Sequence, residues 1–320
     1  MIDWRQIQKN NFHSLVKLLD FLEFKESERE KILKKPDFPL NLPFRLASKI
    51  RKRDLNDPIL KQFIPLLEEK EVRLGFVKDP VSDSSFRKKN KLLHKYHGRA
   101  LLICTSACAM HCRYCFRKNF EYDTQSKNFD EEIALIQKDS SLKEIILSGG
   151  DPLSLGDDML NSLLRNLSDI EHVERIRFHS RFPVGIPERI NDSFISLLSS
   201  VEKQIIFVLH CNHFQELDDD IFFALKRVQK LGIPVLNQSV LLKDVNDHPD
   251  TLIELSRCLI NQGVMPYYLH QLDKVIGSHH FEVDTDFGKK LLVDMRSKLP
   301  GYGVPLYVKE VPFEKSKTPI

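Results

Sequence analysis

From Arg99 onward, short apolar runs rich in β-branched residues alternate with amphipathic stretches, and this rhythm limits the possible folds more than any other feature. It predicts strands over 100–104, 144–147, 175–179, 204–210, 234–240 and 266–271. Helices are predicted over 157–167, 219–231, 252–260 and 287–299. Met159, Leu160, Leu163, Leu164 and Leu167 share one face of the first; Ile221, Phe222, Leu225 and Val228 share one face of the second. After a longer first interval, strand starts recur about every 30 residues, the length of one βα unit. Six such units in series predict a parallel sheet with right-handed crossovers, either an open doubly wound sheet or a complete or partial barrel.

The unusual residues favour the barrel. Cysteines follow the first strand and Ser148-Gly149-Gly150-Asp151-Pro152 the second. His179-Ser180-Arg181 and His210-Cys211-Asn212-His213 follow the third and fourth; Asn237-Gln238-Ser239 and Gln271-Leu272-Asp273 end the fifth and sixth. Polar groups converging from every strand on one face are how βα barrels build sites, whereas a doubly wound sheet concentrates them at one switch point. No GxGxxG follows the first strand and no GxxxxGK[ST] occurs, so nothing supports a dinucleotide or P-loop site. The expected fold is α/β: a partial (β/α)6 TIM-like barrel over 99–300, a helical N-terminal extension over 1–98, and a short C-terminal segment over 301–320. Within the extension, helices are read over 12–22 and 58–70, and the basic run 50–54 is read as a solvated helix face.

The net charge of +3, from 48 Lys and Arg against 45 Asp and Glu, gives no strong pull toward nucleic acid or membrane. No apolar run reaches the roughly 18 residues of a spanning helix, and the start lacks the order of a secretory signal. A cytoplasmic protein is expected.

Four of the six cysteines crowd into twelve residues: Cys104, Cys108, Cys112 and Cys115. In a reducing compartment such a cluster points to metal or catalysis. Cys108, Cys112 and Cys115 form CxxxCxxC. Three thiolates on one short loop suit a 4Fe-4S cubane with its fourth iron left open. A structural zinc site, with His111 or Cys104 as fourth ligand, is the alternative, and it would make the chain a non-catalytic binding module. Cys104, Cys211 and Cys258 read as core residues.

CxxxCxxC after a first strand, with an aromatic between its last two cysteines, resembles the radical S-adenosylmethionine superfamily. The likeness narrows to lysine 2,3-aminomutases through His94-Lys95-Tyr96-His97-Gly98-Arg99, Cys112-Arg113-Tyr114-Cys115-Phe116-Arg117 and Ser148-Gly149-Gly150-Asp151-Pro152-Leu153. The stretch 179–190, Asn237-Gln238-Ser239-Val240-Leu241-Leu242 and Val245-Asn246-Asp247 extend it from about His94 to the C-terminus. It is nearest the short bacterial branch that makes β-lysine for elongation factor P, and a chain stopping three residues after Lys317 fits that branch.

The resemblance implies three cofactors: the 4Fe-4S cluster on Cys108, Cys112 and Cys115, S-adenosylmethionine, and pyridoxal 5′-phosphate. Ser148, Gly149, Gly150 and Asp151 would face S-adenosylmethionine, a plain βα turn being the alternative. Lys317 would hold pyridoxal phosphate as an imine, with Lys315 its rival, and Arg99 and Lys95 would lie near that cofactor. Arg117 would pair with the substrate carboxylate. Asp273 would receive the distal ammonium, with Glu310 where the catabolic enzymes have aspartate. The implied reaction is a radical 1,2-amino shift from L-lysine to β-lysine, glutamate or arginine being rival substrates. The implied partners are L-lysine, an electron donor of flavodoxin or ferredoxin type, and, through the product, elongation factor P and its lysyl ligase. A homo-oligomer remains open.

Overall fold

In the computed structural model residues 3–122 and 128–320 are described; Met1 and Ile2 of the start read above lie outside them. One ten-stranded sheet follows chain order. Its strands are β1 (Arg87–Lys89), β2 (Leu92–Tyr96), β3 (Arg99–Thr105), β4 (Glu144–Gly149), β5 (Arg175–Ser180), β6 (Gln204–His210), β7 (Val235–Val240), β8 (Met265–His270), β9 (Leu306–Lys309) and β10 (Thr318–Pro319). Strands β3 to β9 run parallel; β1 and β2 are antiparallel additions at one edge and β10 at the other. The six expected strands are β3 to β8, with bounds matching to about two residues. β1 and β10 are unpaired edges, so the barrel is partial.

The first region holds α1 (Trp4–Lys9), α2 (Leu15–Phe21), α3 (Phe44–Lys49) and α4 (Pro58–Lys61). Ser14 caps α2 by accepting from the Lys17 amide. The helix expected over 58–70 is a correction: α4 stops at Lys61, and only a 3-10 turn forms over Leu67–Lys70. Pro65 lacks an N–H and disfavours helical geometry at Ile64. The basic run at 50–54 is likewise not helical. Arg53 takes a left-handed φ of 55°, and Arg51 and Arg53 pair with Asp54 and Glu28.

On the barrel's outside lie α5 (Asp130–Lys138), α6 (Asp157–Ser168), the single turn α7 (Phe182–Gly185), α8 (Asp192–Ser199), α9 (Asp219–Gln229), α10 (Pro249–Ile260) and α11 (Thr285–Lys298). The sheet's outward residues, among them Leu102, Leu147, Ile176, Phe178 and Phe207, share one buried core with Leu160 and Leu164 of α6, Phe194 of α8 and Leu225 of α9. Each such side chain contributes about 1.5–3 kcal/mol by burial. The inward residues of the same strands are different. A closed barrel fills its interior with branched aliphatics, but here Arg177, His179, His210, Gln238, Tyr268 and His270 face inward and line a cavity of 370 Å³.

No helix among the described residues is long and apolar enough to cross a membrane.

Candidate active site

Cys108, Cys112 and Cys115 sit on the loop that leaves β3, and all three line the cavity as free thiols. Burial pushes the Cys115 thiol up to about 11 and Cys108 well above the usual range, and the neighbouring sulfurs add to both. At Cys108 and Cys115 burial and the neighbouring sulfurs oppose ionisation, so a cationic group is needed to make them thiolates, and an iron–sulfur cluster supplies that charge. No three His, Cys, Asp or Glu side chains among the described residues surround a single ion position. A cubane needs no such convergence, since each cysteine serves a different iron. Zinc would need a fourth ligand. His111 instead donates Nδ1–H to the Pro39 carbonyl (2.9 Å) and stacks on Phe38, and Cys104 lies in the core.

The N-terminal region holds this loop by its backbone. Asn41 Nδ2 donates to the Cys108 carbonyl (3.1 Å), and Asn11 Nδ2 to the Ala109 carbonyl (2.8 Å). The amides of His111 and Arg113 donate to the carbonyls of Asn41 and Gln62, each at 2.9 Å. Arg113, 1% exposed, is fixed by Glu69 and by the Phe38 carbonyl. Nothing local in Asn11, Asn41 or Gln62 marked them in the sequence.

On the other side the Ser148–Asp151 loop presses against the cysteine loop. Gly149 has a φ of 114°, and a Cβ there would stand 2.8 Å from the Thr105 carbonyl oxygen. A Cβ on Gly150 would stand 2.3 Å from that of Ala107. The two glycines therefore let β4 approach the cluster loop, in addition to lining the cavity with Ser148 and Asp151. Asp151 accepts from Ser180 Oγ (2.9 Å) and from the amides of Leu153, Arg181 and Phe182 (3.0, 2.8 and 3.0 Å), joining the ends of β4 and β5. Burial pushes its carboxyl up to about 6 against those donors.

The hairpin of β9 and β10 builds the opposite wall. Its register pairs Thr318 with Lys309, which sets Lys317 across from Glu310, and Lys317 Nζ lies 2.8 Å from Glu310 Oε2. Glu310 also takes Lys95 Nζ (3.1 Å) and the Tyr96 hydroxyl, both from β2. These side chains tie the two edges of the open sheet together. Burial would raise the Glu310 carboxyl, but Lys317 and Lys95 outweigh it and hold it at about 2. Lys95 is thus engaged by Glu310, Asp83 (3.3 Å) and the Val81 carbonyl. Asp83, which sequence reasoning missed, also receives Arg117 Nε (2.9 Å), leaving the Arg117 Nη groups without a bond to any described residue. Asp273 lines the same wall, where burial pushes it up to about 7 although Lys317 opposes the shift. Arg99 lies over the Tyr96 ring, has no acidic partner among the described residues, and faces the cavity. Burial keeps His179 neutral, and its Nε2 has no hydrogen-bond partner among the described residues. Lys315 is exposed and does not line the cavity, whereas Lys317 does.

All thirteen predicted site residues line this one cavity. It is lined by the three thiols and by lysines, acids and arginines not fully paired, which suits a cluster beside an anionic cofactor and a zwitterionic substrate. Residues 97–178 match the family described as a 4Fe-4S single cluster domain. The chain is 40% identical to L-lysine 2,3-aminomutase of Escherichia coli (strain K12) over 88% of its length and 83% of that protein's. It is 37% identical to that of Haemophilus influenzae over 99% and 95%, and 31% identical to that of Clostridium subterminale over 99% and 77%. A radical SAM methyltransferase from Sphaerobacter thermophilus shares the fold, with a TM-score of 0.50 at 18% identity over 68% of each chain. With these identities over most of both lengths, the chain belongs to the L-lysine 2,3-aminomutase family.

Proposed function

We propose that this chain converts L-lysine to β-lysine, using a 4Fe-4S cluster on Cys108, Cys112 and Cys115, S-adenosylmethionine beside Ser148–Asp151, and pyridoxal phosphate on Lys317. The observation that carries this is the single cavity shared by the three thiols, Lys317, Arg117, Asp273 and Glu310. When bound, the cluster supplies the electron that splits S-adenosylmethionine, and pyridoxal phosphate supplies a conjugated system for the migrating nitrogen.

The chain's own groups bind and orient. Arg99, which has no acidic partner among the described residues, offers a fixed positive charge to the cofactor phosphate. Arg117, held through Nε by Asp83, presents its Nη fork to the substrate carboxylate. Glu310 and Asp273 receive the distal ammonium. The Lys317 ammonium donates to Glu310; when Lys317 turns to the cofactor, the substrate's ammonium takes its place with the same chemistry. A glutamate side chain would meet two carboxylates there and be repelled. The barrel wall excludes water and other hydrogen donors from the radical. Residues 1–98 support the cluster loop and add the edge strands β1 and β2, 99–300 supply β3 to β8, and 301–320 add β9 and β10 and deliver Lys317.

The test is turnover under anaerobic conditions with dithionite, S-adenosylmethionine and pyridoxal phosphate. L-lysine should give β-lysine; clean turnover of arginine or glutamate instead would refute the substrate. Borohydride reduction and peptide mapping should place the pyridoxyl group on Lys317, and finding it on Lys315 would overturn that assignment. We further propose that a flavodoxin- or ferredoxin-type donor reduces the cluster and that the product is attached to elongation factor P by its ligase. Loss of β-lysine from that factor in a strain lacking this protein is the expected result.

A further inference from the structure

One buried cation touches a cluster ligand directly. Arg181 follows β5, and its backbone amide and that of Phe182 are fixed on Asp151 Oδ2. From there its guanidinium reaches Cys112 Sγ through Nη1 at 2.7 Å, and the same Nη1 meets the Tyr114 hydroxyl. Nη2 donates to Glu216 Oε2 and Gln62 Oε1, each at 2.7 Å. Glu216, fully buried, is itself held by the amides of Asn212 and His213 (3.1 and 2.9 Å) and by Gln62 Nε2 (3.1 Å). Asn212 Nδ2 completes the frame on Gln62 Oε1 and the Tyr114 hydroxyl, at 3.0 and 2.6 Å. A planar fork with both ends anchored has one orientation, and that orientation aims an N–H at sulfur.

We infer that Arg181 is a positioning residue that sets the ease of cluster reduction, by donating an N–H···S bond and a positive charge to the Cys112 thiolate. Reduction adds one electron from an external low-potential donor to the oxidised cluster, makes it more negative, and breaks no bond. Hydrogen bonds to the sulfurs and nearby positive charge favour the more negative state and so raise the potential. Glu216 and Gln62 fix the guanidinium where it does this. The inference rests on the three-cysteine cluster of the proposed function but needs neither lysine nor pyridoxal phosphate.

The test is the midpoint potential of the anaerobically reconstituted full chain, read by electron paramagnetic resonance during dithionite titration. Iron and labile sulfide analysis of the unaltered chain comes first; about four of each establishes the cluster whatever the substrate proves to be, and failure there removes the cluster reading itself. With the cluster present, Arg181→Gln should reduce the reduced-to-oxidised ratio at fixed potential about tenfold, equivalent to 59 mV for a one-electron couple. Arg181→Lys, which keeps the charge but loses the fork, should give a smaller shift in the same direction. An unchanged potential in a variant that keeps its iron would overturn the inference. If Arg181→Gln loses iron, Arg181→Lys decides by the same criterion. Loss of iron from both would also overturn it, making the guanidinium a scaffold of the loop instead of a donor that tunes the sulfur.

Discussion

The two ends of the cavity are built on opposite principles. At the cysteine end the groups that hold the loop have fixed partners within the protein. Asn11, Asn41 and Gln62 hold loop backbone, Asp151 takes four donors, and Arg181 has both Nη atoms bonded. At the Lys317 end, charges of both signs share partners: Glu310 serves Lys317, Lys95 and Tyr96, Asp83 serves Lys95 and Arg117, and Arg99 has no acid among the described residues. A cluster must stay where it is assembled, so its mount is saturated. On the proposed function a substrate enters and leaves here, and shared partners let it exchange one ion pair for another of the same kind.

That contrast can be broken most severely at its chemical groups. Cys112→Ala should abolish iron binding and all release of 5′-deoxyadenosine. Lys317→Ala should keep iron and S-adenosylmethionine cleavage while β-lysine formation falls by about 10⁴-fold or more. Equal loss of both activities in Lys317→Ala would mean that the two ends are not separable. Next is Glu310→Gln, which leaves Lys95 and Lys317 without their shared carboxylate. Losing one partner of a buried pair costs about 2–5 kcal/mol, so the KM for lysine should rise at least ~30-fold with iron content unchanged.

Asp273 gives a pH test. Its carboxyl, raised to about 7 by burial, must be ionised to receive an ammonium. Here kcat/KM for lysine should fall tenfold per unit as pH drops below about 7, and Asp273→Asn should remove that limb. The stability sign is opposite. The folded state holds this proton more tightly than the unfolded chain, so stability present below the unfolded pKa is lost as pH rises toward 7. Asp273→Asn should therefore raise the melting temperature at pH 8 and have little effect at pH 4. The smallest effect is at the mount. Asn41→Ala removes one buried donor to the Cys108 carbonyl, about 1–3 kcal/mol, and should hasten iron loss to a chelator about tenfold with KM for lysine unchanged.

The parallel strands were legible because they are apolar runs with polar residues at their carboxyl ends, and the cysteines because three thiols at that spacing have few other uses. The edge strands were not. β1 is Arg87-Lys88-Lys89, with no alternation to read, and it exists only because β2 offers a partner. Pro65 lies inside the stretch read as a helix over 58–70, and its missing N–H and its crowding of Ile64 end the helix that the apolar pattern suggests. Arg181 stood in a strand-end cluster, yet its partners Gln62 and Glu216 lie 119 and 35 positions away. Asp83 likewise gains its meaning from Lys95 and Arg117, which only the fold brings to it. Sequence patterns show which residues face a barrel mouth; hydrogen-bond partners from other segments decide what those residues are free to do.

The central claim is that the lysine β-carbon and the split S-adenosylmethionine share this one cavity. Anaerobic turnover with lysine deuterated at C3 tests it directly. Deuterium should appear in 5′-deoxyadenosine during turnover and return to β-lysine; 5′-deoxyadenosine that forms without deuterium would contradict the account.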